Sequence, residues 1–127
     1  MIRIENLHHV SLAVTDLARS RRFYGEVLGL RELPRPNFPV DGAWFEAGDR
    51  QVHLIVFSET QMLRARRDID VRETHFALRV ADYDETMAHL RAHGVEVLDR
   101  YDNVTDWAQI YILDPDGNII ELNVDRK

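Results

Sequence analysis

The sequence contains no cysteine. That removes disulfide frameworks, thiolate zinc sites and cysteine nucleophiles together, and it fits a reducing compartment. Long apolar runs are missing too. The strongest stretches, such as LIVF at 54–57, fall far short of the ~20 residues that a membrane-spanning helix needs. The opening MIRIENLHHV has no basic segment leading into an apolar one, so no secretory leader is expected. Nor is there an excess of positive charge. The formal net charge of -6 gives no global electrostatic case for nucleic acid, whose phosphates reward clustered Lys and Arg. A soluble cytoplasmic protein is expected, with neither membrane nor nucleic acid as a partner. One local exception is RARRDIDVR, where Arg64, Arg66, Arg67 and Arg72 would suit an anionic ligand or, more simply, a solvated connector.

What is present fits one compact domain: 127 residues, 45% of them hydrophobic, enough to close a core without covalent help. From Leu7 to Val14 the pattern has the two-residue period of a half-buried strand. Val10, Leu12 and Val14 share one face with His8; His9, Ser11 and Ala13 share the other. Asp16 then caps a helix carrying Leu17, Phe23, Tyr24, Val27 and Leu28 at helical spacing, with Gly29 at its end. Strands are expected at 30–33, 43–47 and 51–57. The loop PRPNFPVDG between the first two holds three prolines and is expected to be irregular and stiff.

After the arginine-bearing segment the layout begins again. THFALRVAD repeats HHVSLAVTD, with His75 where His9 fell and Asp82 where Asp16 fell. A second helix is predicted over 82–93, ending at Gly94, followed by strands at 95–99, 105–112 and 118–124; DPDG joins the last two as a turn. Each half reads strand, helix, strand, strand, strand. The fold class is therefore α+β, with module 1 at about 1–58, a connector at about 59–72 and module 2 at about 73–127.

Duplication identifies corresponding positions. His53 in QVHLIV takes the place of Glu121 in NIIELNV, each in the last strand of its half. By parity, His53 lies opposite Val52, Leu54 and Val56, and Glu121 lies opposite Ile120, Leu122 and Val124; the aliphatic faces are assigned to packing against helices. His9, His53, His75 and Glu121 would then project from the first and last strands of two similar half-sheets toward one concave surface. A strand histidine taken alone is more often a hydrogen-bonded structural residue than a ligand. Four potential donors at repeat-equivalent positions are harder to dismiss, and imidazole with carboxylate suits Zn, Ni, Fe, Co or Mn better than calcium. His89 and His93, spaced i,i+4 without the glutamate of an HExxH signature, read as a solvated helix face. His8 is expected to pack at a helix-facing or strand-end position with a backbone partner.

The same parity places Trp107, Gln109 and Tyr111 with the potential ligands, with Trp44 as the counterpart of Tyr111 in the first half. These aromatic and polar groups suit a small organic ligand, core packing or a dimer interface equally. Arg79, on the face of His75, is the cationic candidate for a substrate carboxylate or phosphate.

These segments, HHVSLAVTDLARSRRFYGEVLGL, QVHLIVF, THFALRVAD and ILDPDGNIIELNV, resemble the vicinal oxygen chelate superfamily, which includes glyoxalase I, extradiol dioxygenases, methylmalonyl-CoA epimerase, fosfomycin-resistance thiol transferases and bleomycin-binding proteins. The resemblance implies paired βαβββ modules that form a curved mixed sheet, or cup, around a divalent metal, with the helices outside. It implies ligands at His9, His53, His75 and Glu121, a small-molecule substrate, and a homodimer in which the cup is completed within one chain or across two. The leading activity is that of a glyoxalase-type lyase or isomerase, with Glu121 or His53 as the base. An extradiol-type dioxygenase, for which His9, His75 and Glu121 match the facial triad, and a non-catalytic binding or antibiotic-resistance protein remain alternatives. Glyoxalase I enzymes usually carry glutamate where this chain carries His53.

Overall fold

In the computed structural model the described residues are 1–57 and 68–127. Arg64, Arg66 and Arg67 lie outside them. The chain divides into two compact units, Met1–Glu59 and Thr60–Lys127, and each follows the same plan.

In the first unit, β1 (His9–Val14) leads into α1 (Leu17–Arg22), followed by β2 (Arg31–Leu33), β3 (Gly42–Ala47) and β4 (Arg50–Val56). The strands form one sheet in the order β1-β4-β3-β2. The first strand pairs parallel with the last, which a hairpin cannot achieve; the helix supplies the crossover. Asp16 starts that helix as predicted, its carboxylate accepting from the Arg19 N–H at 3.1 Å. The helix does not stay regular. Phe23–Val27 widens into a π turn, with the Leu28 N–H reaching Phe23 O at 2.9 Å, before Gly29 takes φ 70°. Widening presents Phe23 and Tyr24 consecutively to the core, where Tyr24 lies 6.0 Å from Phe45. The helix packs against β3 and β4, over a layer that includes Val14, Ala43, Val52 and Leu54, all fully buried.

In the second unit, β5 (His75–Arg79), α2 (Tyr83–Ala92), β6 (Leu98–Arg100), β7 (Trp107–Leu113) and β8 (Ile119–Asp125) form a sheet in the order β5-β8-β7-β6, the same topology. Asp82 caps α2 by accepting from Glu85 N–H at 2.9 Å. At the other end Gly94, at φ 65°, donates to Arg91 O, and Val95 N–H donates to Leu90 O, both at 3.0 Å. That exit motif engages Val95, so β6 begins at Leu98 rather than at 95. Thr105 likewise belongs to a turn, its N–H and hydroxyl both donating to Asn103 Oδ1, and β7 starts two residues later than predicted. The core face holds Ala108, Ile110, Ile112, Ile120, Leu122 and Val124, all buried.

The DPDG turn is held by its first residue. Buried Asp114 accepts from Asp116 N–H (2.9 Å), Asn118 N–H (2.8 Å) and Asn118 Nδ2 (2.8 Å), and Gly117 takes φ 85°. Two α+β modules of type βαβββ are thus present. Among the described residues no helix is long and apolar enough to cross a membrane.

Candidate functional site

In each unit the first and last strands bring a pair of donor residues together. In the first, β1 and β4 run side by side with His9 opposite Gln51 and Ser11 opposite His53. The His9 and His53 rings stack at 4.0 Å. On the other side of His53, Trp44 sits directly opposite on β3 and stacks at 4.3 Å, nearly parallel. His53 is therefore enclosed between two rings and only 7% exposed, although it shares its face with exposed Ile55. Its Nε2–H donates to Gln51 Oε1 at 2.7 Å, which leaves Nδ1 with the lone pair. Burial, followed by the positive fields of His9 and His8 and then of Arg35, lowers its pKa to about 4. It is neutral near pH 7, the state an imidazole needs in order to ligate a metal.

His8 sits at the strand end, just before β1, where its carbonyl accepts from Gln51 N–H at 3.3 Å. Its exposed ring meets His9 rather than the expected backbone group, Nδ1 lying 2.8 Å from His9 Nδ1, one ring donating to the other. The strand begins one residue too late to draw His8 onto the aliphatic face.

In the second unit, His75 Nδ1–H donates to Glu73 O at 2.8 Å, and its Nε2 faces Glu121 Oε1 at 3.4 Å. A backbone carbonyl on Nδ1 is the arrangement that commonly orients a metal-binding histidine, because it fixes Nε2 as the free nitrogen. In the neutral ring, two acceptors then face each other and call for a cation or a proton between them. Glu121 is 7% exposed. Tyr111, directly opposite on β7, donates its hydroxyl to Glu121 Oε1 at 3.0 Å, and Asn123 Nδ2 lies 3.4 Å from Oε2. Burial first, then this hydrogen bond and the Glu121 charge, push the Tyr111 pKa up to about 12, so the phenol stays a donor. A buried carboxylate beside an oriented imidazole fits a divalent cation of borderline hardness. Among the described residues no group of three or more His, Asp or Glu side chains is gathered for a metal.

The remaining predicted residues fall on the predicted face but differ in availability. Gln109 pairs with Asn123 in register, half-buried. Trp107 is 37% exposed at the start of β7, opposite Asp125. Arg79 already has an anion: it pairs with Asp125 and donates to Asn123 Oδ1 at 3.1 Å, its register partner. Arg72 is similarly engaged by Asp70, through Nε (3.0 Å) and Nη2 (2.7 Å). His89 in the last turn of α2 and His93 at its C-cap are exposed, with rings 4.2 Å apart.

Two residues near His53 escaped sequence reasoning. Gln51 lies two positions before it on the same face, so parity already contained the signal. Arg35 lies in the proline-rich loop, where no periodicity exists to place it.

A model of the Glyoxalase/Bleomycin resistance protein/Dioxygenase superfamily matches residues 6–122. The chain belongs to this superfamily. It is 35% identical over 123 residues to a glutathione transferase, FosA, of Serratia marcescens, covering 95% of this chain and 82% of that protein. It is 27% identical over 127 residues to a metallothiol transferase, FosB, of Staphylococcus saprophyticus, covering 94% and 77%. Among solved structures, a glyoxalase family protein from Bacillus anthracis superposes with a TM-score of 0.83 at 28% identity, covering 99% of both chains.

Proposed function

We propose that this chain is a metal-dependent enzyme of the vicinal oxygen chelate type that joins a thiol to a small electrophile bearing neighbouring oxygens. Membership in the superfamily and relatives named as glutathione and metallothiol transferases support the enzymatic class. The single observation that carries the metal reading is the 3.4 Å approach of His75 Nε2 to buried Glu121 Oε1, with Nδ1 tied to a carbonyl.

In this reading His9, His53, His75 and Glu121 are the residues that would hold the cation. A divalent cation held by them supplies Lewis-acid stabilisation for negative charge developing on a substrate oxygen. The chain's own residues do the rest. Tyr111 keeps the Glu121 carboxylate oriented without competing for the proton, since its pKa is raised. Trp44, stacked on His53, offers an apolar wall that restricts water beside the donors. Trp107 and Gln109 line the same sheet face as Tyr111 and are assigned to substrate contact.

A lyase or isomerase of glyoxalase type is the second reading, favoured by Glu121 itself. A buried carboxylate whose partners among the described residues are a hydroxyl, an amide and an imidazole can take a proton from a carbon next to a carbonyl.

The test is elemental analysis of the purified protein, followed by glutathione consumption with added divalent metals and a panel of epoxyphosphonates and 2-oxoaldehydes. Metal-dependent loss of thiol with a stable adduct supports transfer; isomerisation of a preformed thiol adduct selects the second reading. Oxygen uptake with catechols under Fe(II) would select ring cleavage instead. Absence of both bound metal and metal affinity would overturn the enzymatic reading in favour of a binding protein. The accompanying homodimer is checked by light scattering.

A further inference from the structure

Among the described residues, Arg35 is a cationic group of the first unit with no carboxylate partner. Its Nε is buried and has no hydrogen-bond partner, and among the described residues it forms no ion pair. Buried donors left unpaired are few in native proteins, and each calls for an explanation. Arg21, Arg31 and Arg50 of the same unit are matched by Glu32, Glu46 and Asp49, so the sheet has carboxylates to spend and spends them elsewhere.

The position of Arg35 is built. A Cβ on Gly42 would lie 2.8 Å from Arg35 Nη2 and 2.9 Å from Cζ, as well as 2.3 Å from Leu54 O, so only glycine leaves room for the guanidinium to lie against the start of β3. From the loop, Phe38 supports it, with Arg35 Cζ 4.8 Å from the ring centroid. Phe38 in turn lies 6.1 Å from Trp44, which stacks on His53. Arginine, aromatic wall and imidazole thus form one continuous surface, and the Arg35 charge is felt at His53.

We propose that Arg35 is the substrate-anion recognition residue, taking a carboxylate or phosphonate oxyanion of a small organic substrate whose apolar part lies along Phe38 and Trp44. A guanidinium presents a planar fork that matches such oxyanions, and packing its face on a ring and a glycine backbone, with Nε buried, leaves the terminal Nη groups for the ligand. The proposal deepens the enzymatic reading by naming the charge of its substrate, and it reassigns to Arg35 the role that the sequence suggested for Arg79.

The test uses the full chain without metal, so that it does not depend on the metal reading. The arginine Nε–H resonances are followed by NMR while methylphosphonate or acetate is added at constant ionic strength. The Arg35 resonance is expected to move saturably, and the tighter of the two probes names the oxyanion. Arg35→Gln should weaken that binding by about tenfold or more, and Arg35→Lys should restore only part of it. A thermal melt checks that the variants fold; if they do not, the wild-type Arg35 resonance decides alone. An Arg35 signal unmoved by both probes, or folded Arg35→Gln binding as tightly as wild type, would overturn the proposal. In Glu121→Gln, anion binding should persist while metal binding falls, so failure of one reading leaves the other measurable.

Discussion

Tyr111 donates its hydroxyl to Glu121 Oε1 across 3.0 Å from the position directly opposite it on the neighbouring strand. Trp44 stands opposite His53 in the same way and stacks on it. Each half-sheet thus backs its buried donor with an aromatic from the adjacent strand, one by a hydrogen bond and the other by ring contact. The two supports lead to different expectations.

Tyr111→Phe should keep the fold, because the ring volume is unchanged, yet reduce divalent-metal affinity by about 10–100-fold by freeing the carboxylate. Competition with a metal-indicator dye, alongside a thermal melt, measures both. Unchanged affinity would show that the phenol does not orient a ligand.

Glu121→Ala and His75→Ala should each abolish tight metal binding while leaving far-UV circular dichroism intact. Metal stoichiometry by elemental analysis is the readout. Wild-type stoichiometry in both variants would remove this pair from the site.

His53 gives a pH signature in the metal-free protein. Its pKa is lowered from 6.5 to about 4, first by burial and then by the fields of His9, His8 and Arg35. Between those values the unfolded chain binds more protons than the folded one, so the stability from neutral His53 is fully present above 6.5 and is lost as pH falls toward 4. Urea midpoints measured across this window should decline with acidification, and the slope should flatten in His53→Gln. Equal slopes in the two proteins would contradict the assignment.

Asp114→Ala should cost about 3 kcal/mol or more, because three donors at the turn lose a buried carboxylate acceptor. Denaturant unfolding tests this, and a loss below about 1 kcal/mol would show that water replaces the carboxylate.

Much of this arrangement was legible in the sequence because strands obey parity. Once His53 was set opposite Leu54 and Glu121 opposite Leu122, the face of every neighbour followed, including Trp44 and Tyr111. The caps Asp16 and Asp82 were equally readable, since an acidic residue before a helical apolar pattern has few other uses. What escaped was set by local hydrogen bonding or by irregular chain. The π turn at Phe23–Val27 arises from a choice of carbonyl partner that spacing does not encode. Val95 and Thr105 carry strand-like patterning, but an exit motif and an asparagine-anchored turn claim them. Arg79 was placed on the right face, yet its pairing with Asp125 depends on reach rather than on parity. Arg35, in a loop without a period, had no rule to place it.

The parallel pairing of β1 with β4, and of β5 with β8, has a consequence for how the protein matures. His9 and His53, like His75 and Glu121, lie more than forty positions apart in the chain, and nothing local unites them. A fragment of a module that ends before its last strand lacks one member of that module's pair. On the proposed metal reading, ion capture would therefore come late in folding, and newly made chains would pass through a stage blind to metal until each closing strand slots beside its opening one.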